Sequence, residues 1–571
     1  MKILSVNFLS HNKVNNNKNI AISNPYSINA ISFGGLDKDT LSFSNKPKLL
    51  SAQEGKIYAD KYKNSTSGYR GEFQKDFNDD FVYTMTHASG EYMIKHKNST
   101  TPKTVVAGDT RQATKKYAPQ ITHTLTQKGI DVFSPRLDGV EGIAPVASPV
   151  LALITKEFDI PLGVLLTASH NPWKDGGYNF LIKEGMVAET VQSNEIAKNI
   201  VNITKNGKIP THNLPKGKVY EFNPYDLYSQ YIEDNEMIDF ESIRKAGIDI
   251  FYEDFGGTGK YYFPKLMHDN GIEIQEVLSS KTNGPNPTKA NLAHLSQAVV
   301  QSSNPLRIGL ATDGDSDRFG AVDENGNYIN SNDFLLLVAY HLIKHEGMTT
   351  GTIIKNHSTS EKLDALADYF NQQEGYDIEV SATPVGFKYL GGEMMRLEGT
   401  PKEAIIIGEE SGGMTMRGHI PEKDGFLAIA TLLELMAAEN KPIGEILKDV
   451  NSLLGGDFVS ECVNVSFPTE EEKMAVVDAF KDYPTGKKDS LFGYEIDKAK
   501  TLKHKKTIEK HKPNGDGHKI FLKNSSSVLI RKSGTEPILR YYIDSTSREV
   551  YEDLKDKLVD FALDMNGAIK S

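Results

Sequence analysis

The chain of 571 residues contains a single cysteine, Cys462. One thiol excludes an intramolecular disulfide framework and a metal site built from several cysteines, so we expect a reducing, cytoplasmic setting. The sequence also lacks an apolar run of the roughly 20 residues that a membrane helix requires. Its start has no long apolar centre with a small-residue cleavage site, as a signal peptide would have. These absences predict a protein without a membrane partner.

The sequence has no excess of basic residues. It holds 65 Lys and Arg against 76 Asp and Glu, which gives a formal net charge of −11. A general nucleic-acid surface needs a basic stripe, so we expect no nucleic-acid partner. Local groups of Arg and Lys can still attract small anions, which keeps anionic substrates in consideration.

Apolar, strand-like runs alternate with helical stretches after residue 60. The predicted strands cover residues 104–108, 247–251, 307–311, 351–354 and 403–407, and the predicted helices cover residues 333–345, 425–440 and 443–453. This alternation is typical of α/β units with mostly parallel sheets. Strands predicted at 458–467, 526–531 and 539–544, before a closing helix, indicate a separate α+β domain.

The length of the chain predicts about four domains. We assign a polar, disordered extension to residues 1–55, three α/β domains to 56–215, 216–328 and 329–455, and the α+β domain to 456–571.

Four chemically distinctive loops each follow an apolar strand. They are Thr167-Ala-Ser-His-Asn-Pro172, Asp313-Gly-Asp-Ser-Asp-Arg318, Gly408-Glu-Glu-Ser-Gly-Gly413 and Arg531-Lys-Ser-Gly-Thr-Glu-Pro537. Ligands bind at the carboxyl ends of strands in open parallel sheets, so we expect the four loops to converge on one cleft.

The acidic loop sets Asp313, Asp315 and Asp317 two residues apart. Three carboxylates with oxygen-only ligands suit Mg²⁺ or Ca²⁺. An acidic surface turn is the plain alternative. A calcium-binding EF-hand is a second alternative, but Arg318 stands where that loop needs glycine, and the preceding run is strand-like.

The other loops offer groups for a phosphorylated sugar. Glu409 and Ser411 can accept hydrogen bonds from sugar hydroxyls, although a helix-capping turn would explain that loop nearly as well. The arginine loop combines a forked cation with hydroxyls and amides that can surround a phosphate. A nucleotide P-loop at Gly256-Gly-Thr-Gly-Lys260 is rejected, because Asp254 and Tyr261 replace residues that the motif requires.

In these residues the chain resembles the α-D-phosphohexomutase family, whose members interconvert sugar 1- and 6-phosphates. The four loops occur in the family's order, and minor signatures agree: Ser67-Gly-Tyr-Arg-Gly71, Asp109-Thr-Arg111, Pro285-Asn-Pro287 and Thr383-Pro-Val-Gly-Phe-Lys388. The resemblance runs from about residue 60 to the C-terminus. It implies four domains around a central cleft, three of them α/β and the last α+β.

The resemblance also implies a mechanism. Ser169 would be carried as phosphoserine and would hold one Mg²⁺ per chain together with Asp313, Asp315 and Asp317. A hexose 1,6-bisphosphate would be the intermediate and activator, and glucose or mannose phosphates the substrates. Glu409 and Ser411 would bind sugar hydroxyls, and the group holding the non-reacting phosphate would be Arg531, Ser533, Gly534, Thr535 and Arg540. The remaining predicted catalytic residues are His170, Arg70, Lys174, Arg318 and Lys388.

Two positions depart from the family pattern. Many members carry a lysine after the serine loop that is proposed to move the hydroxyl proton, and here that residue is Asn179. Asparagine cannot act as a base, so His170, Lys174 or Lys388 would have to substitute. Gly413 stands where some relatives have histidine.

The departure at Asn179 keeps a second hypothesis open, a catalytically impaired relative that binds sugar phosphates as a sensor or scaffold. A calcium-binding module is a third hypothesis and rests on the acidic loop alone. We expect a monomer or homodimer. The sequence decides neither this nor the preference between the glucose and mannose epimers.

Overall fold

The computed structural model describes residues 29–31, 47–63, 68–278, 284–456, 458–502, 517–532 and 537–565. These residues form four sheets, one in each of four successive domains. The predicted architecture of three α/β domains and one α+β domain is confirmed.

The first domain is built around an eight-stranded sheet of order β1-β8-β4-β3-β5-β6-β2, with β7 paired to β6. Its central pairs are parallel and its outer pairs antiparallel. Its elements are β1 (Asn29–Ile31), α1 (Ala52–Lys63), β2 (Tyr69–Glu72), α2 (Asp79–Lys95), β3 (Lys103–Gly108), α3 (Gln112–Gln127), β4 (Asp131–Pro135), α4 (Ser148–Glu157), β5 (Gly163–Leu166), β6 (Asp175–Ile182), β7 (Met186–Val187), α5 (Thr190–Asn206) and β8 (Val219–Phe222).

The second domain has a five-stranded sheet of order β10-β9-β11-β12-β13. The pairs β10–β9 and β9–β11 are parallel, and the hairpins that follow are antiparallel. Its elements are α6 (Pro224–Asp234), α7 (Phe240–Ala246), β9 (Asp249–Glu253), α8 (Phe263–Asp269), β10 (Ile274–Glu276), α9 (Ala293–Gln301), β11 (Arg307–Thr312), β12 (Phe319–Val322) and β13 (Tyr328–Ile329).

The third domain has a four-stranded sheet of order β15-β14-β16-β17, parallel except for the last pair. Its elements are α10 (Ser331–Lys344), β14 (Thr350–Asn356), α11 (Lys362–Asn371), β15 (Asp377–Thr383), α12 (Phe387–Leu397), β16 (Ala404–Glu409), β17 (Gly413–Met416), α13 (Gly425–Glu439) and α14 (Ile443–Leu453).

The fourth domain is a six-stranded antiparallel sheet of order β18-β23-β22-β21-β20-β19. Its elements are β18 (Val459–Ser466), α15 (Glu470–Ala479), β19 (Ser490–Leu491), β20 (Tyr494–Leu502), β21 (Gly517–Leu522), β22 (Ser527–Lys532), β23 (Ile538–Ser545) and α16 (Arg548–Asp564).

Helix α13 joins the second and third domains. It is buried from Gly425 to Met436 and packs against α7 and β12 of the second domain and α10 and β17 of the third. A helix that is apolar on all faces has to be buried on all faces. Each fully buried Leu, Ile or Phe contributes roughly 1.5–3 kcal/mol, so this helix holds the acidic loop and the sugar loop in a fixed relation.

The structure shifts the predicted boundaries. Leu50 is buried and α1 begins at Ala52, so the extension assigned to residues 1–55 ends earlier than predicted. Strand β1 pairs with β8, whereas residues 1–28 and 32–46 lie outside the described residues. Strand β8 belongs to the first sheet, because it pairs with β4, so that sheet extends beyond the predicted end at residue 215. Similarly, β13 crosses the predicted boundary at residue 328.

Candidate active site

Ser169 lies in the loop after β5, where the backbone turns sharply. It is buried and has a φ of +51°, a conformation that residues other than glycine adopt uncommonly. Its amide donates a hydrogen bond of 2.8 Å to Thr167 Oγ1, and Thr167 Oγ1 donates to Asp109 Oδ2 at 2.7 Å. Strain of this kind persists only where surrounding groups hold it. These bonds therefore hold the backbone of Ser169 in this conformation.

Arg111 holds the serine loop through hydrogen bonds to its main chain. Its guanidinium is paired with Asp109, with 2.9 Å from Nε to Oδ2, and lies 4.9 Å from the ring of Trp173. It donates four hydrogen bonds to main-chain oxygens of the loop, those of Ser169, Asn171, Pro172 and Asp175. Arg111 is therefore a structural clamp for this loop.

The acidic loop connects β11 to β12 and lies against the serine loop. Asp313, Asp315 and Asp317 are all buried, and a carboxylate oxygen of each lies within 4.8 Å of the other two. Ser169 Oγ donates to Asp313 Oδ2 at 2.8 Å. The preceding element is a strand, which removes the EF-hand alternative, since that motif needs a helix there.

Two of the three carboxylates are oriented by groups from other domains. Ser148 Oγ of the first domain donates to Asp315 Oδ2 at 2.8 Å, and Lys423 Nζ of the third domain lies 2.6 Å from Asp317 Oδ2. The other oxygens, Asp315 Oδ1 and Asp317 Oδ1, are buried without a hydrogen-bond partner. Buried carboxylate oxygens without partners, facing a third carboxylate, fit a divalent cation such as Mg²⁺.

The pKa values of the triad reflect this crowding. Burial and the charges of Asp315 and Asp317 raise the pKa of Asp313 well above its ordinary value. Burial and Asp317 raise the pKa of Asp315 to about 6. Burial also opposes ionisation of Asp317, but Lys423 and Arg318 outweigh it and lower the pKa of that carboxyl. The site thus has an excess of negative charge that a cation would neutralise.

The sugar loop lies at the turn between β16 and β17. Ser411 Oγ donates to Glu409 Oε1 at 2.7 Å, and Arg318 reaches the main-chain oxygen of Ser411 at 3.4 Å. Burial raises the pKa of Glu409. Gly412 has a φ of +92°, which lets the chain turn back into β17. The loop therefore presents a carboxylate and a hydroxyl together.

Described residues of all four loops line one cavity of about 380 Å³, the arginine loop through Arg531. The predicted site residues in its lining are Arg70, Ser169, His170, Asp315, Asp317, Arg318, Glu409, Ser411, Arg531 and Arg540. Asp313 joins them through its bond to Ser169. For the described residues, the predicted convergence of strand-end loops on one cleft is confirmed. Ser533, Gly534 and Thr535 lie outside the described residues, so their predicted phosphate contacts remain predictions.

Two residues predicted to be catalytic, Lys174 and Lys388, lie outside the cavity lining, and their catalytic role remains a prediction. Lys174 has a largely exposed side chain, with Nζ 3.3 Å from Glu72 Oε2. Lys388 is buried on α12, with Nζ 3.4 Å from Thr190 Oγ1.

His170 and Asn179 both support the serine loop. His170 Nδ1 lies 3.3 Å from Ser169 Oγ. Burial and the charges of Arg318 and Arg70 lower the pKa of His170 to about 2, so its ring is neutral at neutral pH. Asn179 Nδ2 donates to the main-chain oxygen of Thr167 at 2.9 Å. The residue in the place of the usual lysine is therefore a loop anchor.

Sequence reasoning missed Ser148, Glu422 and Lys423, all of which line the cavity. Ser148 begins α4, far from the motifs. Glu422 and Lys423 stand just before Asp424, the N-cap of the apolar helix α13. Charged residues directly before a fully apolar helix were a signal that could have been noticed.

Among the described residues, none of the helices combines the length and the apolar character that a membrane span requires.

Sequence profiles of known families match four successive parts of the chain. These are domains I, II and III of phosphoglucomutase/phosphomannomutase, each described as alpha/beta/alpha, at residues 61–207, 226–326 and 330–453, and the C-terminal domain at 491–561. The profiles match well over half of the chain.

The chain aligns with similar proteins over nearly the whole length of those proteins. A phosphoglucosamine mutase from Carboxydothermus hydrogenoformans is 25% identical, covering 86% of this chain and 97% of the relative. A phosphoglucomutase/phosphomannomutase from Thermococcus kodakarensis is 26% identical, covering 87% of this chain and 98% of the relative.

Solved structures share the fold at lower identity. Parafusin, a phosphoglucomutase from Paramecium in an open form, has a TM-score of 0.71 at 16% identity, covering 89% of this chain and 96% of that chain. A phosphoglucomutase/phosphomannomutase family protein from Burkholderia thailandensis has a TM-score of 0.66 at 18% identity, with 88% and 98% covered.

Proposed function

Because the chain belongs to the α-D-phosphohexomutase family, we propose that it interconverts hexose 1-phosphates and hexose 6-phosphates through Ser169. The observation that carries this proposal is the bond from Ser169 Oγ to Asp313 at the wall of a cavity that the sugar loop and four arginines also line. In that cavity a phosphorylated Ser169 would face a sugar hydroxyl and a second phosphate would face Arg531 and Arg540.

Each half-reaction is a balanced phosphoryl transfer. The sugar hydroxyl oxygen bonds to phosphorus while the bond from Ser169 Oγ to phosphorus breaks, and the hydroxyl proton ends on Ser169 Oγ. The product is a hexose 1,6-bisphosphate, which rotates end over end in the cleft and returns its other phosphate to Ser169. His170 Nδ1, at 3.3 Å from Oγ, would orient the Ser169 oxygen through a hydrogen bond from its neutral ring.

The triad Asp313, Asp315 and Asp317 would hold one Mg²⁺, which when bound neutralises charge on the phosphoryl group. The other work falls to side chains of this chain. Arg318 and Arg70 add positive charge beside the triad. Glu409 and Ser411 would orient the sugar, and Arg531 and Arg540 would hold the phosphate that does not react.

The substrates we propose are glucose and mannose phosphates, which differ at one hydroxyl. Glucosamine phosphate is the second candidate, favoured by the names of several relatives, including the one from Carboxydothermus hydrogenoformans. The cavity wall offers the same carboxylate and hydroxyl to all three sugars.

A side-by-side assay tests both levels of the proposal. Glucose 1-phosphate, mannose 1-phosphate and glucosamine 1-phosphate are supplied with Mg²⁺ and a trace of hexose 1,6-bisphosphate, and formation of each 6-phosphate is measured. We expect turnover of at least one sugar, faster for glucose or mannose, and its loss in Ser169→Ala. Faster turnover of glucosamine 1-phosphate would overturn the substrate assignment. Affinity for all three without turnover would favour the sensor or scaffold alternative.

A further inference from the structure

His341 is buried on α10, and neither of its ring nitrogens has a hydrogen-bond partner among the described residues. Its side chain is 2% exposed. Two carboxylate oxygens lie just beyond hydrogen-bond distance of Nε2, Glu346 Oε1 at 3.6 Å and Glu434 Oε2 at 3.9 Å. Burying a polar ring without a partner costs free energy. A ring that faces two carboxylates therefore fits a ligand that all three groups can share.

The two carboxylates are held by different elements. Helix α10 ends at Lys344, and the chain then turns back, so that the Glu346 amide donates to the His341 main-chain oxygen at 3.2 Å. Glu434 lies on α13, and its Oε1 accepts from the main-chain N–H of Asp239 at 2.6 Å, which leaves Oε2 facing His341. The side chain of Glu346 is 52% exposed and that of Glu434 is 11% exposed. The exposed carboxylate gives an ion a route from solvent to the buried pair.

Both buried groups are held in their uncharged forms. Burial and the nearby His345 lower the pKa of His341 to about 4, so its ring is neutral at neutral pH. Burial raises the pKa of Glu434 to about 8, and the charge of Glu346 acts in the same direction. A neutral imidazole is the form that binds a metal, and a cation would replace the Glu434 proton, which would leave to solvent.

The neighbouring cationic groups are engaged elsewhere. His345 Nε2 lies 2.8 Å from Glu439 Oε1, and Lys344 Nζ lies 2.7 Å from the same oxygen. The group around His341 thus offers one nitrogen and two carboxylate oxygens. Among the described residues, only the aspartate triad already has three ligand atoms within 4.8 Å of one another. Binding at His341 therefore requires the exposed Glu346 side chain to close on the ion.

We propose that His341, Glu346 and Glu434 form a second metal site, which takes one Zn²⁺ with water as the fourth ligand. Three protein ligands with an imidazole among them suit Zn²⁺, whereas Mg²⁺ prefers oxygen ligands alone. The three residues lie outside the cavity that Ser169 lines. The bound ion would tie the end of α10 to α13, and this site does not depend on the proposed function.

The first test is calorimetric titration of Zn²⁺ into the full chain, with excess Mg²⁺ to compete for the aspartate triad. His341→Ala and Glu346→Gln should each weaken one Zn²⁺ binding event at least ~10-fold, a loss typical even for groups that only orient a ligand. Glu346 is exposed, so Glu346→Gln keeps the fold even if His341→Ala does not. Absence of the event in the unaltered chain, or its survival at full strength in Glu346→Gln, would overturn the proposal.

Matched controls separate this site from general binding of Zn²⁺ to surface groups. His268→Ala removes a histidine whose side chain is 75% exposed, and Glu241→Gln removes an exposed carboxylate paired with Lys245. Neither should change the Zn²⁺ affinity. A bound ion also stabilises the folded state, so Zn²⁺ should raise the thermal midpoint of the unaltered chain and of both controls, and raise that of Glu346→Gln less.

The second test uses Co²⁺ as a spectroscopic probe. A four-coordinate Co²⁺ with an imidazole ligand absorbs visible light more strongly than an octahedral ion held by oxygens alone. We expect a visible band that saturates at one Co²⁺ per chain, disappears when Zn²⁺ is added and is absent in His341→Ala. The same band in His341→Ala would overturn the assignment of that ligand. Neither test measures turnover, so both remain decisive if the chain converts no hexose phosphate.

Discussion

Ser148 Oγ of the first domain donates a hydrogen bond of 2.8 Å to Asp315 Oδ2 of the second domain. The Ser148 amide also donates to the Asp315 main-chain oxygen at 2.8 Å. Both residues are buried. The acidic loop is therefore fixed to the domain that carries Ser169. The distance between the Ser169 hydroxyl and the three aspartates depends on these two bonds as well as on the bond from Ser169 to Asp313.

Ser148→Ala should weaken Mg²⁺ binding roughly 10-fold, because groups that orient metal ligands typically contribute 10- to 100-fold in affinity. The main-chain bond remains, so the fold should persist. Titration of Mg²⁺ by calorimetry and the Mg²⁺ dependence of turnover measure the change. Ser452→Ala, which removes a hydroxyl on the exposed part of α14, is the control. An unchanged Mg²⁺ affinity in Ser148→Ala would show that this bond does not position Asp315.

Arg111→Lys should abolish most activity although it keeps the charge. An ammonium has three donors and cannot reproduce the pair with Asp109 together with four bonds to the serine loop. Turnover should fall more than 100-fold, and the thermal midpoint should fall as well. Arg396→Lys, at an exposed arginine bonded to Glu393, should leave both unchanged. Full activity in Arg111→Lys would contradict the assignment of Arg111 as the clamp.

Glu434 makes the stability of the fold pH-dependent. Burial raises the pKa of this α13 carboxyl to about 8, above its value in the unfolded chain. The folded state therefore holds a proton that the unfolded state loses, and stability falls as the pH rises from about 4.5 to about 8. Each unit of pKa difference corresponds to about 1.4 kcal/mol.

Glu434→Gln should remove this loss of stability at high pH, because glutamine does not ionise. Its side-chain oxygen can still accept the hydrogen bond from the main-chain N–H of Asp239. Urea unfolding at pH 5 and pH 8 measures the effect. The variant should be more stable than the unaltered chain at pH 8, with a smaller difference at pH 5. A difference that grows toward pH 5 would contradict the assignment.

The sequence was informative where a local pattern is sufficient. The predicted helices at 333–345, 425–440 and 443–453 match α10, α13 and α14 within two residues at each end, because long apolar or one-sided runs leave few alternatives. The four motifs were placed correctly at strand ends. Mostly parallel sheets were predicted, and the second and third sheets depart from this at one edge, where hairpins such as β16–β17 add antiparallel strands.

The sequence was uninformative where contacts join distant segments. Strand β20 was missed because exposed charged residues such as Glu495 and Lys498 interrupt its few apolar residues. Ser148 and Lys423 reach the triad from other domains, and no local spacing reports such a contact. Lys174 shows that closeness in sequence to Ser169 does not by itself place a side chain in the cavity lining.

The central claim is that the oxygen of Ser169 carries the phosphate between the two ends of the sugar. Incubation with hexose 1,6-bisphosphate bearing radiolabelled phosphate, followed by digestion and mass mapping, tests it most directly. The account predicts a label on the peptide containing Ser169, a mass increase of about 80 Da, and loss of the label when unlabelled hexose 1-phosphate and Mg²⁺ are added. A label that never appears on Ser169 while turnover proceeds would contradict the account.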